Sequence, residues 1–211
     1  MDLINSFSQK DFTDICDLLA ANDPDLLVVI MQHGYPPMWK RRLNFETLIH
    51  IILEQQVSLA AALAAMRKLQ QKLGEITPVA LLLLTDMELK ACYFSRQKTG
   101  YARHLAQSIL TGKLQLQKLS IAPDETVRAE LKKIKGIGDW TSDVFLMMAL
   151  QRADIFPIGD IALIASVKAV KKLPTQTSKE EILKIAATWK PYRTIAAFIL
   201  WHAYLSKRKQ K

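Results

Sequence analysis

Cysteine is almost missing from this chain: Cys16 and Cys92 are the two among 211 residues. Two thiols cannot build a four-thiolate zinc or iron–sulfur site, and both sit in apolar helical surroundings, where cysteine acts as a small buried hydrophobe. Reduced thiols in a reducing compartment are expected. Glycine is scarce as well, at seven residues, and segments with helical periodicity dominate, which points to an all-α fold. Long apolar runs are missing. Ala80 to Leu84 is far too short to cross a bilayer, and Met1-Asp2-Leu3-Ile4-Asn5 is too polar for a signal h-region. A soluble, intracellular protein with no membrane partner is expected. His104 has no second ligand at i+4, so no side-chain metal site is expected. Acidic residues are in deficit, 20 against 29 basic ones, for a net charge of +9 and a pI near 9.5. That balance suits a polyanionic partner, or simply a basic soluble protein.

Half of the residues are hydrophobic, enough for one large domain or two small lobes. Ser8 and Asp11 form an S-x-x-D signature that opens a helix to about Ala20, with Phe12, Ile15, Leu18 and Leu19 on one face. A second helix begins near Pro24 and stops at Gly34. Tyr35 to Arg42 is an irregular linker; its Tyr35 and Trp39 read either as base-stacking side chains or as aromatics tucked into the core. Asn44 caps a helix from Phe45 to about Gln55, and Ser58 caps the next, Leu59 to Leu73. Short helices follow at about Pro78–Leu84 and Asp86–Ala91, then a longer one towards Thr111-Gly112. Arg96, Lys98 and Arg103 near its start are phosphate contacts or a solvated basic face. Pro123-Asp124-Glu125 opens a further helix, since acidic groups suit its positive end. Ser178-x-x-Glu181 is a capping box, and Trp189-Lys190-Pro191-Tyr192-Arg193 leads a last helix, Thr194 to Tyr204. The basic tail Ser206 to Lys211 is expected to fray and to act as a weak electrostatic tether. Chain order suggests one lobe built from both termini, roughly 1–58 and 157–211, and a central lobe of roughly 59–156, with a cleft between them.

The rest is organised around Leu131 to Leu163, LKKIKGIGDWTSDVFLMMALQRADIFPIGDIAL. It opens as the end of a helix, with Leu131 and Ile134 apolar and lysines at 132, 133 and 135. The tight Gly136-Ile137-Gly138 turn lets main-chain N–H groups approach a ligand closely. Asp139 and Thr141 offer N-cap chemistry for a second helix, Trp140 to about Leu150, so turn, lysines and helix start together suit a phosphate. The loop Asp154 to Asp160 ends in a carboxylate at the start of an apolar helix, Ile161 to Val170. As an isolated residue Asp160 reads first as a structural N-cap.

A helix–Gly-Ile-Gly–helix followed by a loop aspartate resembles the helix-hairpin-helix and Gly/Pro-rich-loop-Asp module of the base-excision DNA glycosylases. Gly136, Ile137 and Gly138 fall on the hairpin, Phe156-Pro157 with Gly159 on the loop, and Asp160 on the catalytic aspartate. Lyase-type members carry a nucleophilic lysine two residues beyond the last hairpin glycine; here that residue is Trp140, which looks like the monofunctional 3-methyladenine DNA glycosylase II branch. Two more segments agree: Ile52-Leu53-Glu54-Gln55-Gln56-Val57-Ser58, close to a family I-L-x-Q-Q-V-S motif, and the Trp189 to Arg193 segment with Trp201. The resemblance spans roughly Leu48 to Tyr204.

The resemblance implies an all-α, two-lobed fold and hydrolysis of the N-glycosidic bond of alkylated purines in damaged double-stranded DNA, by base flipping and an Asp160-assisted water attack, in base excision repair. Positive charge develops on the sugar, and one carboxylate can stabilise it. Cationic alkylated bases leave easily, so no partner acid is needed; Asp154 is at most a helper. Trp140 and Trp201 match the aromatic base pocket, which selects cations, or are core; Ile161 and Val144 stand where some relatives have further aromatics. Gln56 matches the residue that fills the gap left by a flipped base, or it caps a helix end. Ser58, Lys135, Gly136, Ile137, Gly138 and Thr141 would contact DNA. No cofactor and no iron–sulfur cluster is implied, only a monovalent cation (Na+ or K+) on the Ile134 and Ile137 carbonyls when DNA is bound. A monomer is expected, cytoplasmic and nucleoid-associated in a bacterium. Two other readings remain: a non-catalytic hairpin module that grips DNA backbone, and a bifunctional glycosylase/lyase, for which Lys135 is the one hairpin lysine near enough to consider.

Overall fold

Helix caps punctuate this chain almost everywhere the sequence offers them. The computed structural model describes residues 5–209; Met1–Ile4 and the tail residues Gln210 and Lys211 lie outside the described residues. In chain order the helices are α1 (Phe12–Asn22), α2 (Pro24–His33), α3 (Phe45–Glu54), α4 (Leu59–Leu73), α5 (Pro78–Leu83), α6 (Asp86–Ala91), α7 (Arg96–Leu110), α8 (Leu116–Leu119), α9 (Asp124–Lys132), α10 (Asp139–Met148), α11 (Ile161–Val170), α12 (Lys179–Ala187) and α13 (Arg193–Lys209). The described residues hold no strand, only a bridge between Ser6 and Arg152. Asn44, Ser58 and Ser178 cap α3, α4 and α12 as expected, each contributing about 1 kcal/mol by satisfying a first-turn N–H. At the start of α1 the Ser8 hydroxyl donates to Asp11 at 2.6 Å, and the helix itself begins one residue later.

Arg41–Leu150 forms one compact unit. Its spine is α10, whose residues from Thr141 to Met148 are all buried. The apolar face of α3, with Leu48, Ile49, Ile51 and Ile52 fully buried, packs on α4, α7 and α10; each such side chain contributes about 1.5–3 kcal/mol. Inside this unit Arg128 of α9 donates to Asp143 of α10 at 2.8 Å. Burial pushes the Asp143 carboxyl above the ordinary aspartate range, and the guanidinium only partly offsets it.

Asn5–Lys40, together with what is described from Gln151 onward, forms the second unit. Here α1, α2 and α11 pack on α13, buried without interruption from Thr194 to Trp201. Phe7, Phe12, Trp39, Phe198 and Trp201 form a chain of ring contacts with centroids 5.2–6.2 Å apart. Asp23 ties the unit together: it caps α2 and accepts from the Trp189 indole (2.7 Å) and Lys171 (2.6 Å). Burial alone would raise its pKa, but those two hydrogen bonds outweigh it and hold the carboxyl below the ordinary aspartate value.

Three expectations need correction. The divide falls after Lys40 and after Leu150, not near 58 and 156, because α3 buries its apolar stripe against α4, α7 and α10. The N-cap of α10 is Gly138, with no side-chain cap; Asp139 is already the first helical residue and pairs with Lys132 at 2.6 Å. The tail does not fray at Ser206, since α13 runs on to Lys209, with Arg208 stacked 5.4 Å over the Tyr204 ring.

Candidate nucleic-acid interface and catalytic carboxylate

In the Arg41–Leu150 unit the hairpin joins α9 to α10. Gly136 has φ +87°, a left-handed value that glycine adopts without penalty, and a Cβ there would come within 2.1–2.4 Å of the near carbons of the Tyr101 ring. The turn closes with the Ile137 N–H on the Ile134 carbonyl (3.0 Å), and both isoleucines are buried. That amide, expected on a phosphate, is therefore already used within the turn. Gly138 is exposed, has no neighbour within 4 Å of where a Cβ would sit, and leads into the uncapped first turn of α10. A helix start with no side-chain cap, preceded by lysines at 132, 133 and 135, suits an anion. Lys132 and Lys133 pair with Asp139 and Glu130, whereas exposed Lys135 has no ion-pair partner among the described residues. Lys135 also borders an open depression of about 490 Å³ shared with Arg96, Gln97, Gly100 and Tyr101.

One face of α7 backs this region, at positions 98, 101 and 104, three residues apart. Lys98 donates to the Leu53 carbonyl at the end of α3 (2.7 Å), the Tyr101 ring lies under Gly136, and His104 Nδ1 accepts the Lys135 N–H (3.0 Å). Lys98 is thus turned inward, and desolvation lowers its pKa below the usual lysine value. Arg103, also weighed as a phosphate contact, instead donates to the Leu84 carbonyl and pairs with Asp86, both at 2.7 Å. Gln55 Nε2 donates to the Gly136 carbonyl and to Thr141 Oγ1, each at 2.9 Å. Thr141, expected on the DNA face, is 2% exposed and spends its hydroxyl on Gln55; it braces the hairpin from inside. Sequence reasoning passed over Gln55 and His104 as site residues. For Gln55 a signal existed: Leu48, Ile51, Ile52 and Gln55 follow i, i+3, i+4, i+7, so the amide continues a buried stripe.

Between α3 and α4 the chain makes an abrupt corner. Gln56 is exposed with φ +56°, a strained value for a residue with a side chain. Val57, Leu59 and Leu63, which follow it in the chain, expose 44–51% of their surface. Ser58 is exposed and caps α4 through the Ala61 N–H (3.2 Å). Trp140 is half-buried in the first turn of α10, and Val144 is core at 2% exposure.

The second unit carries the carboxylate. Asp160 is half-buried and caps α11, its Oδ1 accepting the Leu163 N–H (2.7 Å) and the Trp201 indole N–H (3.2 Å). Trp201 is 9% exposed and stacks on Phe198, with Trp39 edge-on to both rings. Trp39 therefore belongs with the aromatic group that reaches Asp160, whereas Tyr35 is exposed and donates to Asp17 at 2.6 Å. Ile161, next to Asp160, is 86% exposed. Asp154 is paired with Arg193 (2.6 and 2.9 Å), which occupies it as a helper. No group of three or more His, Cys, Asp or Glu residues able to hold a metal occurs among the described residues.

A two-glycine hairpin with an uncapped helix behind it, and a carboxylate held at a helix start by an indole, are the parts of a base-excision protein. Residues 49–191 match the family model described as "HhH-GPD superfamily base excision DNA repair protein", and the chain belongs to that superfamily. It is similar to the Bacillus subtilis protein YfjP (27% identity over 84% of this chain) and to the DNA-3-methyladenine glycosylase of the same organism (30% over 74%); it spans 65% and 56% of their lengths. A solved structure of the Schizosaccharomyces pombe 3-methyladenine DNA glycosylase in complex with abasic DNA superposes with a TM-score of 0.83 at 26% identity, covering 89% of this chain and 95% of that one. No helix among the described residues is long and apolar enough to cross a membrane.

Proposed function

We propose that this chain is a monofunctional DNA glycosylase that hydrolyses the N-glycosidic bond of alkylated purines, such as 3-methyladenine and 7-methylguanine, in damaged duplex DNA. The observation that carries the reading is the Asp160 carboxylate, held by the Leu163 amide and the Trp201 indole at the start of α11, in a chain whose hairpin leads to Trp140 rather than to a lysine. The names of the similar glycosylases support the same reading.

As the bond to the base stretches, positive charge grows on the deoxyribose, and a fixed carboxylate stabilises it without reorganising. Asp160 then receives the proton of the attacking water. A base already cationic from alkylation leaves without an acid, which fits a loop whose other carboxylate, Asp154, is taken by Arg193. The indole of Trp201, beside Asp160, favours a cationic base over a neutral one. Drawing a base out of the stack costs a few kcal/mol. Contacts at Gly138, the first turn of α10 and Lys135 offset this, with Gln56 filling the vacated space. The Ile134 and Ile137 carbonyls are neutral, hard oxygen donors of the kind that suit Na+ or K+, and we include such an ion at the hairpin. The protein acts as a monomer where the chromosome lies.

The test is release of free bases from methylated duplex DNA. Wild type liberates methylated purines, and Asp160→Asn binds the duplex but loses about 100-fold or more in rate. An Asp160→Asn variant as fast as wild type would reject the assignment. Borohydride trapping should yield no covalent adduct; an adduct would mean a lyase.

A further inference from the structure

We infer that Gln55 is a positioning residue that joins the Gln56 tip to the hairpin, so that gripping the DNA backbone and inserting the tip are one event. This rests on the base-flipping function proposed above. Gln55 is where the chain leaves α3, and the next residue is thrown outward into a left-handed conformation. While the backbone turns away, the Gln55 side chain reaches a segment 81 residues further along, donating to the Gly136 carbonyl and to Thr141 Oγ1 at 2.9 Å each. Its two amide hydrogens are thereby spent on the two sides of the phosphate-facing turn: the glycine that shapes it and the first turn of α10.

The hairpin has other supports. The Tyr101 ring fills the space beneath Gly136, and His104 Nδ1 holds the Lys135 N–H at 3.0 Å. The base of the tip is likewise held from α7 by Lys98 on the Leu53 carbonyl. Gln55 is the hydrogen-bonded link that runs directly from the tip's own chain segment to the turn. Its loss should leave the hairpin seated and able to bind phosphate, while the exposed tip at Gln56 no longer moves with it.

Gln55→Met keeps the length of the side chain and deletes both bonds; Gln55→Glu keeps the shape and sets a carboxylate against the Gly136 carbonyl. Both would be measured with wild type for binding to an undamaged duplex and to one carrying a tetrahydrofuran abasic analogue, with 2-aminopurine next to the analogue reporting unstacking. Kinetics on methylated DNA would complete the set. Expected for both variants are a Kd for undamaged duplex within about threefold of wild type, a fluorescence rise on abasic duplex reduced about fivefold or more, and a kcat lowered about tenfold at a KM within about threefold. The Glu variant should be the more severe, and it carries the test if the Met variant does not fold. A parallel loss of affinity for both duplexes with no selective loss of fluorescence would overturn the inference, as would variants that match wild type throughout. The binding arm needs no catalysis. Wild type that binds and unstacks but releases no base would reject the glycosylase function while leaving the coupling intact. Active wild type with unaffected Gln55 variants would reject the coupling alone.

Discussion

Replacing Gly136 by alanine should damage the fold itself, and the size of the effect can be worked from two observations. The backbone there has φ +87°, where a Cβ costs about 1–2 kcal/mol. The added methyl would also fall among the near carbons of the Tyr101 ring rather than at its flexible end. Forcing a packed aromatic aside costs about 1–3 kcal/mol more, for a total of about 2–5 kcal/mol. Gly138 is the internal control. Its φ is −110° and nothing lies within 4 Å of its would-be Cβ, so Gly138→Ala should stay within about 0.5 kcal/mol of wild type while weakening DNA binding. Urea unfolding gives the stabilities from midpoint and slope. Combining Gly136→Ala with Tyr101→Ala should cost less than the sum of the two changes by about 1–3 kcal/mol, the clash portion, and retain the backbone portion. A Gly136→Ala protein as stable as wild type, or strict additivity with Tyr101→Ala, would refute the account.

Asp23→Asn should lower stability by about 1–3 kcal/mol at neutral pH, because Lys171 and the Trp189 indole lose a charged partner. The folded-state pKa of Asp23 lies below the ordinary aspartate value, so its contribution is full above that ordinary value and is lost as pH falls through the folded pKa; the gap between variant and wild type in urea midpoint should close in acid. Burial pushes the Cys16 thiol up to about 12 and raises Cys92 as well. Native protein should therefore resist a disulfide reagent that labels two thiols per chain in urea, and rapid native labelling would contradict the burial. Trp201→Phe keeps ring contact with Phe198 and Trp39 but removes the N–H on Asp160, so base release should slow about three- to tenfold; an unchanged rate would make the indole purely structural.

Much of this was legible in the residues because local chemistry dictated it. Asn44, Ser58 and Ser178 each start a helix where a side-chain oxygen can meet a first-turn amide, and Gly136 takes the left-handed turn that its spacing required. What stayed hidden depends on partners distant in the chain. Nothing near Thr141 announces that its hydroxyl faces Gln55, 86 positions away, so a residue with capping chemistry was misjudged as a surface contact. Lys98 looked like a solvated cation because the Leu53 carbonyl it covers belongs to another helix. The division between units was misplaced for the same reason: a strongly apolar helix such as α3 tells that it will be buried, but not against which neighbours. For Asp160 the sequence offered the helix start but not the indole that orients it.

The interrupted second unit has a consequence for the order in which the nascent polypeptide can acquire structure. Arg41–Leu150 is continuous, and its ends meet where the Arg41 N–H donates to the Met148 carbonyl at 2.8 Å, so it can fold as soon as it leaves the ribosome. Helices α1 and α2 precede that unit in the chain but pack on α11 and α13, which follow it. A segment made before the continuous unit is thus completed only after it, and loss of α13 would strand α1 and α2 together with the carboxylate at Asp160.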